Sequence, residues 1–371
     1  MSGVVTQKIT AGNLFDCSNL ADFIASIVQV LPFKGISMSR FYDCDIDGVR
    51  FLTKLCFYRK SAPELYGKKS KNTLPHTDAE INILRVFKKR FTDRNITPCI
   101  LELVYYKVCN SLSKITPRNK VCEQLVLEYK DYGPAEDVAQ TICKHADLVH
   151  NGLAHDKCAF LVLDKCDITL DTYLQRSVNT PISTAVFKSL LFQIIYTLYA
   201  INKVYPKFRH YDLHTENIML KFDPTYKFKA TNQKFLVFTI DGEKYYMPYF
   251  GIIPKIIDFG FSSLPEEGIV SNAVEDRAQM YFRSQNDLLL LFHWIYHILK
   301  QSGGDKLGRI DKLLQHLEPN RTYVQYYTEY IRKVETEIPT YEDMIKNRVW
   351  SEYKNSKVRP NQIYAEYTPV K

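Results

Sequence analysis

At 371 residues, 46% hydrophobic and 24% charged, the chain has the composition of a folded protein, which excludes disorder as its ground state. Its net charge of +8 leaves acidic substrates, nucleic acid or an anionic surface open as partners. Nine cysteines without a Cys-x-x-Cys pair argue against a stapled secreted module and for free thiols in a reducing compartment. No basic and apolar leader opens the sequence, and the longest strongly apolar run, 288–299, is too short to span a bilayer and contains His293 and His297, so no membrane span is expected.

In chain order, Leu20, Phe23, Ile24, Ile27, Val28 and Leu31 recur at helical spacing and predict a helix over 18–31, with Ser18 or Asn19 as its cap. Residues 1–30 therefore read as a helical N-terminal extension. The stretch 33–39 holds a single glycine, Gly35, with Ser37 two positions on. Together they make a sparse version of a loop whose backbone N–H groups cradle phosphates. The pattern then changes to strands over 39–44 and 49–58, with the Asp-Gly end of Asp45-Ile46-Asp47-Gly48 as a hairpin turn. Lys54 falls inside the second strand, where an ammonium is costly unless it meets an anion. The phosphates of ATP and a helix carboxylate would serve; the alternative is a lysine on an exposed face. The next helix, capped by Thr77 or Asp78, repeats Glu80, Ile83, Leu84 and Phe87 at helical spacing and offers Glu80 as that carboxylate. An acid that merely favours a helix start is the plainer role for Glu80.

Basic residues gather over 54–94, including Lys68, Lys69, Lys71, Lys88, Lys89 and Arg90. They read as a site for an acidic partner or as solvated surface, with nucleic acid the less favoured partner. A strand is expected over 96–108, then an insertion over 111–157. Its Cys143, His145 and His150, together with His155 and Cys158, match no paired-ligand spacing, so loop and helix are expected there in preference to zinc. The apolar strand 159–163 runs into Asp164-Lys165-Cys166-Asp167. A helix begins over 170–174, and a long apolar one covers 183–199.

Two segments then carry chemistry. His210-Tyr211-Asp212-Leu213-His214-Thr215-Glu216-Asn217 is followed by Ile256-Ile257-Asp258-Phe259-Gly260. Phosphoryl transfer from ATP needs a base to orient the attacking hydroxyl and ligands to hold Mg²⁺ on the phosphates. Asp212 fits the first role, Asn217 and Asp258 the second. His214 would donate a hydrogen bond to the γ-phosphate. The intervening 221–254 reads as an extended hairpin turning at Asp241-Gly242. No Ala-Pro-Glu triplet closes the segment after Gly260. Asp287 opens the apolar helix, and 300–371 reads as helical and charged, anchored by Tyr341, Trp350 and Tyr353.

These motifs resemble the eukaryotic-type protein kinase superfamily, and within it haspin-like kinases and the serine/threonine kinases of large cytoplasmic DNA viruses. The haspin likeness rests on His214 where most such kinases carry Lys, and on Phe238-Thr239-Ile240-Asp241-Gly242 through Pro248 to Ile256-Ile257-Asp258. It rests also on Glu267-Gly268-Ile269-Val270. The viral likeness rests on Glu80-Ile81-Asn82-Ile83-Leu84 and Ile96-Thr97-Pro98. The resemblance covers most of 30–300. It implies an α+β, bilobal fold: an N-lobe over 31–163 with a small antiparallel sheet and one key helix, and a larger, mainly helical C-lobe over 164–371. It further implies adenine contacts from the backbone at Asp164 and Cys166 with Leu163 behind the base, a Lys54–Glu80 ion pair, and Leu84 packed on Phe259. Asp287 would accept backbone N–H bonds from the loop around His210 and Tyr211. The implied activity is transfer from ATP with Mg²⁺ to Ser or Thr of a protein substrate. The implied setting is host-cell cytoplasm and the virion, with the nucleus as the alternative. Tyr211, where regulated kinases place Arg, implies activity that does not wait for loop phosphorylation. Two other functions stay open: a pseudokinase scaffold, from the thin glycine loop, and a small-molecule phosphotransferase, from His214.

Overall fold

The computed structural model describes residues 17, 21–31, 39–67, 73–111, 126–127, 130, 133–176, 183–227, 232–274, 285–301, 306–325 and 338–368. The fold is α+β and bilobal. The chain divides into two compact units, 1–81 with 102–165, and 82–101 with 166–371. The boundaries between the units thus fall inside a helix, after Leu101 and after Lys165.

The first unit is built on a five-stranded antiparallel sheet, in the order β1-β2-β3-β5-β4. Its strands are β1 (Ile27–Val30), β2 (Arg40–Ile46), β3 (Val49–Arg59), β4 (Leu103–Cys109) and β5 (Ala154–Leu163). Asp47 and Gly48, with φ of 53° and 77°, form the two-residue turn between β2 and β3. A pair of positive φ angles twists with the strands, which is why Asp-Gly sits there. β3 is buried on both faces. Leu55 and Phe57 join Phe23, Tyr42, Phe160, Val138 and Ile142 in one core, supplied by α1 (Ala21–Ser26) and α4 (Pro134–His150). The opposite face carries Lys54, beside which α3 (His76–Phe87) places Glu80. A four-residue helix, α2 (Ala62–Leu65), lies between.

Four expectations change here. The helix expected over 18–31 stops at Ser26, and Ile27–Val30 pairs with β2. β-branched Ile27, Val28 and Val30 suit a strand, and the ladder satisfies backbone groups a frayed helix end would leave open. α3 begins at His76, directly after Pro75, one to two residues before the expected caps. The strand expected over 96–108 begins only at Leu103; Thr97 is instead tied side chain to side chain with Thr197, 2.6 Å apart. Finally, the cysteines are not all free thiols, because Cys17 is bonded to Cys109 and Cys143 is also in a disulfide. This ties the N-terminal arm to β4. The candidate zinc set is dispersed. His145 bonds the His155 carbonyl at 3.1 Å and stacks on Phe57 at 4.3 Å, His155 faces Glu64, and Cys158 is core.

The second unit is organised on α6 (Thr184–Val204), buried along most of its length. By length and composition it could cross a membrane, but 78% of its apolar window is enclosed by the fold, as in a soluble core helix. Around it lie β6 (Ile168–Thr169), α5 (Leu170–Arg176), β7 (Ile218–Phe222), β8 (Lys234–Ile240), β9 (Glu243–Tyr249), β10 (Ile252–Ile256), α7 (Asn286–Gln301), α8 (Lys306–Leu317) and α9 (Tyr341–Ile345). The expected single long hairpin is two nested ones. β7 and β10 form the base, joined by β6, while β8 and β9 turn at Asp241-Gly242 into a separate sheet. That sheet is completed by β13 (Ile363–Tyr367), parallel to β8. The tail is therefore not wholly helical. Tyr367 stacks on Phe238 at 5.3 Å, and Phe238 in turn meets Tyr196 of α6.

At the end of α8, Glu318 is fully buried. Oε1 accepts from Asn320 N at 2.9 Å, and Oε2 has no partner. Burial pushes its pKa up to about 7. A carboxyl whose folded pKa is raised contributes stability at low pH that is lost as pH rises through the folded value. Glu318→Gln, which mimics the protonated group, is expected to melt higher than wild type at pH 8. The gap should open between about pH 4.5 and 7 and close below that window in thermal melts across pH. A constant difference would show that Glu318 does not titrate in this way.

Candidate active site

The loop 210–217 has no regular structure before its last turn, yet its backbone is held at several points. Asp287, on the first turn of α7, accepts His210 N at 2.8 Å on one oxygen and Tyr211 N at 2.9 Å on the other. It does not cap its own helix; both oxygens serve the loop. Burial raises its pKa to about 7, against the lowering effect of the two N–H bonds. Tyr211 takes a left-handed φ of 64°, unusual for a bulky residue and costing on the order of 1–3 kcal/mol. Its ring packs with Leu290 and Phe261. His210 Nε2 lies 3.0 Å from the carbonyl of Ile257. A carbonyl can only accept, so Nε2 carries the proton. Burial lowers this imidazole to about 4, and it stays neutral at physiological pH.

Asp212, His214 and Asn217 converge beyond this anchor. Asn217 Nδ2 donates to the Asp212 carbonyl at 2.8 Å, which assigns Oδ1 as the remaining acceptor of its amide. His214 Nδ1 accepts Glu216 N at 3.2 Å, and its Nε2 lies 3.1 Å from Asn217 Nδ2 and 3.8 Å from Asp212 Oδ2. Thr215 donates to Asp171 of α5 at 3.1 Å, a tie the sequence reading did not foresee.

Asp258 reaches the same end of the β7–β10 ladder. Ile218 pairs with Ile256, and Ile257 N donates to Asn217 O at 3.0 Å. The 40 or so residues between Asn217 and Asp258 loop out and return, so their distance in sequence is irrelevant to their placement. Asp258 has a left-handed φ of 61°. Beside it Phe259 is buried, its ring 5.4 Å from Phe87 and 5.2 Å from His210. Phe87 of α3, one turn beyond Leu84, thus meets the Phe259 ring. Asn217 and Asp258 offer oxygen donors, the type Mg²⁺ takes, and a Mg²⁺ held with phosphates needs only one or two protein carboxylates. Among the described residues, no cluster of three or more His, Cys, Asp or Glu forms a metal cage.

Hydrogen bonds tie the described part of the segment after Asp258 to the loop before it. Arg209 and Ser263 exchange backbone hydrogen bonds of 3.1 and 2.9 Å. Ser262 donates to the His210 carbonyl, Tyr205 Oη donates to Glu267 at 2.7 Å, and Lys207 N donates to Glu266 at 2.7 Å. A two-strand turn of β11 (Ser263–Leu264) and β12 (Ile269–Val270) closes it.

In the first unit, Lys54 Nζ lies 2.8 Å from both oxygens of Glu80, and each residue is 2% exposed. Leu163 is buried at the end of β5. Asp164 N donates to the Glu102 carbonyl at 2.9 Å, so an adenine bond from Asp164 would have to come from its C=O. Cys166, at the start of the second unit, is buried. Gly35 and Ser37 lie outside the described residues, as do Lys68, Lys69 and Lys71. Of the other basic residues, Lys88 pairs with Asp93 and Arg90 approaches Glu267 at 4.0 Å.

No protein-family profile matches the chain. It is similar to an inferred serine/threonine-protein kinase of Acanthamoeba polyphaga mimivirus, 27% identical over 290 residues, covering 74% of this chain and 68% of that one. It is also similar to the serine/threonine-protein kinase haspin of Bos taurus, 29% identical over 187 residues, covering 48% of this chain and 22% of haspin. A second inferred mimivirus serine/threonine-protein kinase matches at 24% identity over 276 residues, 72% of this chain and 53% of the relative. The likeness to the protein kinase superfamily, on its haspin-like and viral side, thus stands on comparisons that cover 48% to 74% of the chain as well as on motifs.

The buried ion pair gives a direct test. Removing one member of a buried pair strands a charge and costs about 3–5 kcal/mol, whereas replacing both costs far less. Lys54→Met is expected to lower stability by that order in denaturant melts, and Lys54→Met combined with Glu80→Leu to recover most of it. Both variants should lack phosphoryl transfer. Equal stability of the single and double variants would contradict a coupled pair.

Proposed function

We propose that the chain is an ATP- and Mg²⁺-dependent serine/threonine protein kinase. The observation that supports this most is the convergence of Asp212, His214 and Asn217 on a loop pinned by Asp287, with Asp258 at the same end of one strand ladder. In this reading Asp212 orients the hydroxyl of a protein Ser or Thr and takes its proton. The hydroxyl oxygen bonds to the γ-phosphorus as the bond to the bridging oxygen breaks, and ADP leaves. Asn217 Oδ1 and Asp258 hold Mg²⁺, which when bound neutralises charge on the phosphate oxygens. His214 donates a ring N–H to the transferring group. Lys54, fixed by Glu80, positions phosphates, as do Gly35 and Ser37. Adenine meets Leu163, the Asp164 carbonyl and the Cys166 backbone.

Purified protein with Mg²⁺ and radiolabelled ATP is expected to label serine or threonine of mixed protein substrates, and Asp212→Ala to abolish it. Label on small alcohols alone would assign a small-molecule phosphotransferase. No transfer to either, with nucleotide binding weak or absent, would assign a scaffold.

The same reading includes independence from activation-loop phosphorylation. Tyr211 replaces the phosphate-reading Arg, and the ties from Tyr205, Lys207 and Arg209 already hold the segment up to Ser271. Protein made in bacteria and treated with phosphatase should keep most of its activity; a loss of tenfold or more would refute independence.

A further inference from the structure

α7 anchors the catalytic loop with Asp287 at its first turn, and two turns later it brings a different residue to the same loop. Trp294 stands with its ring centroid 6.0 Å from that of His214, tilted by 51°. It is 37% exposed. Among the exposed large hydrophobic side chains of the described residues, it is the one with a ring contact to the catalytic loop. His297, one turn on and on the same side of the helix, lies 4.2 Å from the buried His293.

We infer that Trp294 is a specificity-determining residue: beside His297, it seats an apolar or aromatic side chain of the protein substrate close in sequence to the accepting hydroxyl. The inference rests on the protein-kinase reading above. Its position supports one occupant. His214 links Trp294 to Asp212, since His214 Nε2 is 3.8 Å from the Asp212 carboxylate. An extended polypeptide advances ~3.3 Å per residue, so a chain presenting its hydroxyl to Asp212 would bring a residue about three positions away over the indole. Indole and imidazole rings offer flat, weakly polar faces that favour offset or edge-on contact with another ring. Aromatic contact of this kind discriminates by up to about tenfold.

The test uses the full chain with ATP and Mg²⁺ and a set of serine peptides. Phe or Ala is fixed in turn at each of three positions on either side of the acceptor. Wild type is expected to prefer Phe at one position by about tenfold in kcat/KM, mostly through KM. Trp294→Ala should collapse that ratio to near one, and Trp294→Phe should keep part of it. A merely structural role would slow both peptides by one factor and leave the ratio unchanged, which would overturn the inference. So would a wild type indifferent to Phe, with the kinase reading left standing. Binding gives a second readout that needs no turnover. The preferred Phe peptide, without ATP, should change the tryptophan fluorescence of wild type, because the other tryptophan, Trp350, is fully buried. That change should vanish in Trp294→Phe with its melting temperature unaltered; its persistence would overturn the assignment. If wild type labels small alcohols and no peptide, the kinase reading and this inference fall together.

Discussion

The Asp287 carboxylate is the constraint on which the site depends. A loop that must present a base and a metal ligand cannot satisfy its own backbone with helix or sheet bonds, and buried N–H groups left unpaired are costly. Asp287 accepts two of them at once, on adjacent residues, from the first turn of a buried helix. That bond pair also holds Tyr211 in a left-handed conformation it would not adopt by itself. The turn at Tyr211 sets where Asp212 leaves the backbone. Asn217 then closes the loop on the Asp212 carbonyl, and Thr215 ties it to α5. The precision of the site therefore comes from α7 and α5, rigid elements, and not from the loop itself.

The residues that converge on the candidate site stand out in the sequence because they lie in two short contiguous runs whose residue types have few other uses in that order. Glu80 was legible for a related reason: a lysine in an apolar strand demands an anion, and the following helix offered one at the right phase. What escaped the sequence was set by partners far along the chain. Ile27–Val30 fits both helical and alternating patterns, and only the edge of β2 decides between them. β13 is five residues of half-buried character that become a strand because β8 lies alongside. The nested hairpins over 218–256 share one sequence signature with a single long hairpin; pairing of Ile218 with Ile256 distinguishes them. The Cys17–Cys109 bond joins residues 92 positions apart, which no local spacing announces.

Trp294 illustrates a different kind of illegibility. The run Leu288–Leu299 reads as apolar apart from His293 and His297, and hydropathy alone assigns Trp294 to the core. The helix buries Leu288 through His293, but Trp294 is part-exposed beside His214. A helix that serves as both anchor and surface carries the two roles on different faces, and composition averages them away.

The Lys54–Glu80 pair makes a last argument about purpose. Buried ion pairs are poor stabilisers, because the desolvation of both charges offsets most of their attraction, and apolar side chains of similar size would serve stability as well or better. β3 has Leu52 and Cys56 buried to either side of Lys54 on the same face, so an apolar residue there would extend a ready-made core. A bidentate contact between two residues that are almost wholly removed from water is thus hard to explain as a contribution to folding alone. It is what a site needs when an ammonium must stay charged, fixed and desolvated until a phosphate arrives. The fold carries this cost in the first unit while the second carries strain at Tyr211 and Asp258, and both departures from local economy fall on residues to which the proposed phosphoryl transfer would give a role.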